Sequence, residues 1–586
     1  MTHKNQILYG DNLEILLNDK LDPRQSPLVP DESVDLIYID PPFNSNRDYN
    51  IIYPDAKAQS KAFIDTWSTI SIEATEKMLG IYQGNSFNET LEDPRFVHYF
   101  TVPFINTLKA MQSLLKFSDP ALYAYLINMG LRIFVMHKKL KWHGSFYLHC
   151  DATASHYLKI VCDSIFDKQN FRNEIVWHYP PSIKSSKRRE LQNHDIIICY
   201  AKDYSRAFFK PSQVEYTQKQ LDRFKYEDEE GRYYHDTRRD AKGEKVKVKV
   251  YLKKTGTPAG DVWYFNRAQG GEYLGYPTQK PQMLLERILN SSCPKAGDEL
   301  EYKDEKGKIQ KITFSQNGTV LDAYCGCGTT VMAAQSLGLR WIGIDITHFS
   351  TDLVEKRILE TYYINKQELD ALKLTQGVKD ADEEFVKKSN LEYFKLVKKA
   401  RQKMFESIEL IGSPKDFESA KRLALNTDND FVRKEFEKWA VSKIGLGAYI
   451  EKKGKDGGVD GMFDIAEFDN NKIIKTQCYY QVKSDAKKIG DSDIKKFYAS
   501  LQYFGAPVGI FISLNGYSSE AINYANSLGK YKLKGLNYSI PVMSLLSVEE
   551  YFADDLETHQ KIFFVHNPFK SSLLHKGKVE NEELEF

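Results

Sequence analysis

Three groups of residues have the types and spacing that chemistry needs. The first is Asp40-Pro41-Pro42-Phe43. A carboxylate and a proline carbonyl can accept the two N–H bonds of an exocyclic amine, while the Phe43 ring stacks on the ring that bears it. A turn that merely ends a strand is the competing reading. The second is Asp322-Ala323-Tyr324-Cys325-Gly326-Cys327-Gly328-Thr329, followed by Gly343-Ile344-Asp345. Glycines let a backbone turn tightly and approach a ligand closely, and an acid about 20 residues further on is where ribose hydroxyls are held. No third glycine follows Gly328 at the dinucleotide spacing, and many sheets need a Gly-x-Gly turn for structure alone. The third is Asp460, inside Gly457-Gly458-Val459-Asp460-Gly461, with Gln481 and Lys483. On a strand, Gln481 and Lys483 point the same way, so Asp460 and Gln481 can share a divalent cation with Lys483 beside an attacking water. Hard oxygen donors suit Mg2+, which stabilises charge on a phosphodiester and acidifies its water. An exposed strand face is the plainer alternative.

These residues require strands that end in loops. Ser33–Asp40 is a β-branched and aromatic run halted by two prolines, which cannot continue a sheet interior. Thr319–Ala323 predicts a strand, the Gly-rich turn follows, then a helix from about Val331 to Leu337 and a strand Arg340–Asp345. Strand, turn, helix, strand argues for a parallel sheet with crossover helices. Apolar spacings of three and four predict helix over Phe100–Leu140 and Ala154–Ile165. Further strands are expected at Ser145–His149 and Asp195–Tyr200. Near Phe431 a second globular pattern begins: a helix to about Ser442, strand Lys475–Val482, helix Asp493–Phe504, strand Val508–Ser513 and a helix from Ser519.

The 586 residues contain 81 Lys+Arg and 80 Asp+Glu, a formal net charge of +1, so any basic surface must be local. With 42% hydrophobic and 27% charged residues the chain is not disordered as a whole. Apolar runs fall short of the roughly 18 residues of a membrane span, and the N-terminus lacks an apolar signal core. A cytoplasmic protein away from membranes is expected. Seven cysteines without a Cys-x-x-Cys pair argue against a disulfide framework or a thiolate zinc site.

Taken with Tyr9-Gly10-Asp11-Asn12, Asp40–Asn50, Phe146–Asp151, Asn173–Trp177 and Tyr276–Pro281, the first two groups resemble an amino-methylating DNA methyltransferase that uses S-adenosylmethionine. Asp-Pro-Pro-Phe preceding the Gly-rich turn is the permuted order of the β class, and Ile37–Phe43 is close to Type III modification subunits. Ala323-Tyr324 departs from the usual Pro-Phe, and Glu301–Lys311 is an insert expected to form a surface hairpin. The resemblance implies a Rossmann-like α/β domain over residues 1–350, with Asp40, Pro41, Pro42 and Phe43 at the reacting amine. It places Asp345 on the cofactor ribose, Asp11 near its adenine, Tyr324, Cys325, Gly326, Cys327 and Gly328 around its methionine moiety, and Thr278 and Lys280 near its carboxylate. Asp322 and Thr329 complete the cofactor set. The target amine lies inside a duplex, so the base must flip out, at a cost of about a few kcal/mol. Asp before Pro-Pro is the family pattern for adenine N6; cytosine N4 stays open.

In that family the interval at about 202–270 holds target recognition. Between the two methyltransferase halves Lys184–Arg189, ahead of that interval, and Arg238–Lys254, within it, are basic, as phosphate contacts require, although a solvated strand face is the usual fate of such runs. Double-stranded DNA is the expected partner; a homodimer and a separate restriction-modification subunit both stay open. Residues 351–425 read as a helical linker, 426–555 as a second α/β domain and 556–586 as a tail. This second domain resembles the PD-(D/E)xK nuclease fold in its Mrr-type variant, with Gln481 in place of the second acid. The resemblance adds Glu437 to Asp460 and Gln481 as a metal ligand and makes Asp460, Gln481 and Lys483 catalytic. A cleavage-dead DNA-binding module behind an orphan methyltransferase is the alternative.

Overall fold

The computed structural model describes residues 4–17, 26–41, 48–52, 59–64, 99–180, 190–240, 243–274, 276, 279–304, 306–367, 383–414, 416–425, 430–444, 448–450, 458–469, 472–535 and 539–553.

A nine-stranded sheet organises the first two thirds of the chain. Its strands are β1 (Asn5–Tyr9), β2 (Val34–Ile39), β3 (Leu140–Cys150), β4 (Phe171–His178), β5 (His194–Ala201), β6 (Val262–Tyr264), β7 (Thr319–Asp322), β8 (Arg340–Asp345) and β9 (Ile408–Ile411). The order is β6-β4-β5-β3-β2-β7-β8-β1-β9. The β3-β2-β7-β8-β1-β9 run is parallel, and β5 runs antiparallel to both β3 and β4. Helices cover both faces, so β2 is buried at every residue and reads as a continuous hydrophobic run rather than an alternating one. On one face Ile37 and Ile39 join a core with α2 (Val102–Leu115), α3 (Pro120–Lys139) and α4 (Ser155–Phe166). On the other, Leu36 and Tyr38 pack with α5 (Gln282–Ser292), α6 (Thr329–Ser336), α7 (His348–Ile358) and α8 (Glu383–Ser407). The short helix α1 (Asn12–Leu16) starts at the end of β1.

The 351–425 section contains the expected helices, but it also supplies β9, which pairs in parallel with β1 from Asn5↔Ile408 to Leu8↔Ile411. Met404 and Ile408 are fully or nearly fully buried in the same core as Val354. Part of the expected linker is therefore the edge of the first domain's sheet. The insert is the expected antiparallel hairpin, Glu299–Lys303 against Ile309–Thr313.

The second sheet has five strands: β10 (Ala448–Tyr449), β11 (Gly461–Asp469), β12 (Lys472–Lys483), β13 (Gly509–Ser513) and β14 (Met543–Ser547), in that order across it. Around it lie α9 (Phe417–Ala424), α10 (Asp430–Trp439), α11 (Asp491–Phe504) and α12 (Ser519–Ser527). The two domains meet at a buried charge cluster. Lys443 Nζ lies 2.8 Å from both Asp352 Oδ1 and Glu355 Oε2 of α7, and Arg401 Nε lies 2.6 Å from Glu355 Oε1. Burial alone would raise the Glu355 carboxyl, but the two cations beside it bring it down to about 2. Among the described residues no helix is long and apolar enough to cross a membrane.

Candidate active sites

Strands β2 and β7 are parallel neighbours, paired at Leu36↔Val320 and Ile37↔Leu321. Continuing that register places Asp40 beside Tyr324, at the carboxyl edge of the sheet where α/β folds put their ligands. On the next strand Asp322 pairs with Gly343, bringing Asp345 to the same edge. Pro41 is described and buried; Pro42, Phe43 and Thr278 lie outside the described residues.

The Gly-rich turn is held from three sides. Gly326 and Gly328 have φ of +49° and +77°, where a side chain is strained, and a Cβ on Gly328 would lie 2.6 Å from Val354 Cγ2. Asp345 Oδ2 accepts the Gly326 N–H at 2.9 Å, while Oδ1 accepts the Thr347 N–H and hydroxyl, each at 2.9 Å. The Arg357 guanidinium donates to the Cys327 carbonyl. Asn12 Nδ2 donates to the Ala323 carbonyl at 2.8 Å. Thr329 begins α6, its hydroxyl 3.5 Å from Cys327 Sγ. Cys325 and Cys327 are buried, their thiols pushed up mainly by desolvation. The Tyr324 hydroxyl donates to Met129 Sδ at 3.3 Å. The turn thus holds its backbone close to whatever lies at the strand ends, and α6 starts directly behind it.

Asp322 is buried and accepts the Tyr324 N–H at 3.0 Å. Desolvation, with added repulsion from Asp40 and Asp345, lifts its carboxyl to about 7. Desolvation also raises Asp345. A crowd of acids at one edge is stable only where some stay protonated or meet a cation. Lys280 is that cation for Asp40: Nζ to Oδ2 is 2.5 Å. Lys280, expected near a cofactor carboxylate, makes a direct ion pair with Asp40 in this structure. Asp11 caps α1, accepting the Leu13 N–H at 2.8 Å, and pairs with Arg132 at 2.7 Å.

Sequence reading missed several groups around this edge: Asn12, Arg132, His149, Asp195, Tyr276 and Arg357. Most sit in segments quoted for their motifs without individual roles. Arg132 carries no local signal, because only helix packing brings α3 to α1.

Between β5 and β6 lies a three-stranded sheet in which Gly231–Arg239 pairs with Lys245–Tyr251 and with Tyr226–Asp228. The register puts Tyr233, His235, Thr237 and Arg239 opposite Tyr251, Lys249, Lys247 and Lys245 on one face. The other face carries Val246, Val248 and Val250, as the alternation predicts. Tyr226 stacks on Tyr233, and Lys249 pairs with Asp228 at 2.6 Å. Lys184–Arg189 lie outside the described residues.

In the second domain, pairing of Gly461 with Tyr480 sets Asp460 beside Gln481. Asp460 is buried, and its Oδ2 accepts the Val482 N–H at 2.7 Å. A Cβ on Gly458 would lie 3.9 Å from Gln481 Oε1, so the Gln481 amide faces the glycine loop that carries Asp460. Glu437 Oε2 accepts the Tyr449 hydroxyl at 3.3 Å. Among the described residues no three His, Cys, Asp or Glu side chains are grouped as a metal site. Asp460 and the Gln481 amide are oxygen donors of the kind that Mg2+ takes.

Residues 34–356 match the DNA methylase family, and residues 430–535 match a restriction endonuclease family. The Type III restriction-modification enzyme StyLTI Mod subunit of Salmonella typhimurium is 26% identical over 57% of this chain and 50% of its own length. The Type II methyltransferase M.EcaI of Enterobacter cloacae is 24% identical over 40% of this chain and 57% of its own. The chain thus spans about half the length of these relatives. The solved PvuII DNA methyltransferase (cytosine-N4-specific) aligns over 70% of this chain and 95% of its own, at 12% identity and a TM-score of 0.34, too loose a likeness to bear on the target base. The chain belongs to the N6/N4 DNA methylase family and carries a restriction-endonuclease domain behind its methylase domain.

Proposed function

We propose that this chain is a site-specific DNA methyltransferase that moves the methyl group of S-adenosylmethionine to the N6 amine of a flipped adenine, fused to a Mg2+-dependent restriction nuclease acting on unmodified DNA. The observation that carries the first half is the juxtaposition of Asp40 with the Gly326–Gly328 turn at one sheet edge. Bound S-adenosylmethionine would supply an electrophilic methyl carbon. The chain's part is to present the nucleophile: Asp40 and the Pro41 carbonyl accept the two amine N–H bonds and draw the delocalised lone pair towards a localised form, so that positioning and fixed charges do most of the work. Phe43 stacking would offset part of the flipping cost, on the order of 1–3 kcal/mol per base.

The Tyr226–Tyr251 sheet is the part we assign to the duplex. Its basic face, with Arg239, Lys245, Lys247 and Lys249, suits phosphates, and beyond Tyr233, where the third strand ends, the sheet narrows to a two-stranded ribbon of the kind a major groove admits.

In the nuclease domain, Asp460 and Gln481 would hold Mg2+ and Lys483 would lie beside the attacking water. A second reading is favoured by one observation: an oxygen of Asp460 is committed to the Val482 N–H and Gln481 replaces an acid, which suits a DNA-binding module without cleavage. Methylation-aware sequencing of a host expressing the chain tests the first half, giving base and target sequence together. Incubation of unmethylated DNA carrying that target with Mg2+ separates the two readings of the second half. No modified base in the host DNA would overturn the methyltransferase assignment.

A further inference from the structure

Methyl transfer to an exocyclic amine leaves a proton to be removed. The amine lone pair forms the N–C bond, the C–S bond of the donor breaks with its electron pair going to sulfur, and the nitrogen, now cationic, must release a proton. The acceptor nearest that proton is Asp40, and its two oxygens differ. Oδ2 is taken by Lys280 at 2.5 Å. Oδ1 is buried, has no hydrogen-bond partner among the described residues, and lies 3.9 Å from His149 Nδ1.

His149 stands there by register. Ile39 pairs with Leu148, so His149 sits next to Asp40 on the adjoining strand, and its side chain is fully buried. Its Nδ1 is 3.1 Å from the Tyr38 hydroxyl, and its Nε2 is 3.3 Å from Asp195 Oδ2. A carboxylate can only accept, so the imidazole N–H belongs on Nε2 and the Tyr38 O–H donates to Nδ1. Asp195 Oδ1 in turn accepts the Tyr179 hydroxyl at 3.0 Å, and the Arg267 guanidinium lies 4.1 Å from the centre of the Tyr179 ring. Among the described residues, the groups facing this imidazole include Tyr38 and Asp40 from β2, Asp195 from β5 and the edge of Trp177 from β4. Lys280 adds its charge to Asp195.

Resting on the methyltransferase reading above, we propose that His149, held by Tyr38 and Asp195, is a proton relay that takes the amine's proton from Asp40 Oδ1 onto its Nδ1, the Tyr38 hydroxyl turning its O–H away and accepting from the new Nδ1–H. Asp195 stabilises the resulting imidazolium, and the proton leaves when product departs. Asp40 touches the substrate; His149 acts through it and is a positioning residue.

The test is single-turnover methylation of a library of unmodified duplexes, followed across pH with full-length wild type, H149Q, D195N and D40A, together with S-adenosylmethionine affinity. The wild-type rate should fall on the acid side, where solvent has already protonated the imidazole. H149Q should be slowed at least about 100-fold and lose that acid limb, with donor affinity within about two-fold of wild type. D195N should move the limb to lower pH, because removing the negative charge makes the imidazolium less stable. H149Q with wild-type rate and profile, or with donor affinity lost in step with rate, overturns the relay. Should H149Q not fold, an unmoved limb in D195N overturns it. An active D40A overturns the assignment of Asp40 and the relay that runs through it; a wild type that methylates nothing overturns the methyltransferase reading instead.

Discussion

Gly328→Ala separates two costs that the Gly-rich turn combines. Gly328 has φ of +77°, and an added Cβ would lie 2.6 Å from Val354 Cγ2, a side chain buried on α7. The left-handed conformation costs a residue with a Cβ about 1–2 kcal/mol. Forcing a methyl into a packed site costs about 1–3 kcal/mol more. The sum, roughly 2–5 kcal/mol, should appear as lost stability of the methylase domain in urea unfolding and as weakened S-adenosylmethionine binding in calorimetry. Val354→Ala removes the obstructing methyl groups but not the backbone strain. In the double-mutant cycle the coupling between G328A and V354A should therefore be favourable by about 1–3 kcal/mol, and the strain of about 1–2 kcal/mol should persist. Additive effects would refute the argument, since they would mean that the turn does not lean on α7.

Other consequences follow from single groups. Asp322 has a folded-state carboxyl lifted to about 7 from 3.8, so folded protein binds this proton more tightly than unfolded chain. Its contribution is fully present below about pH 4 and is lost as pH rises to about 7; D322N should flatten that decline in a stability-versus-pH series. Lys443→Met leaves Asp352 and Glu355 without one of their buried cations and should cost about 3–5 kcal/mol, read as earlier melting. Removing Lys247 and Arg239 together should reduce the slope of log affinity for DNA against log salt by about 2 while leaving donor binding unchanged. D460N should abolish Mg2+-dependent cleavage without altering methylation; retained cleavage would reject the metal assignment.

Much of the site was legible in the chain itself, for local reasons. Asp40 ends its strand because two prolines follow it. The Gly326–Gly328 turn is legible because only glycine adopts its positive φ freely, and Asp345 because it lies one helix and one strand further on. Gln481 and Lys483 share a face because strands alternate. Those residue types and spacings also carried both family resemblances, which the matches over residues 34–356 and 430–535 bear out. What tertiary structure alone decided are the contacts between distant segments. Strand β9 arrives from a stretch that looks like linker, since four residues are too few to show a period, and it pairs with a strand some 400 positions earlier. Lys280 meets Asp40, His149 stands behind Asp40, and Lys443 enters the acid pair of α7. None of these has a local signal, because a side chain's charge partner is set by which strands lie side by side, and strand order is a property of the whole packed sheet.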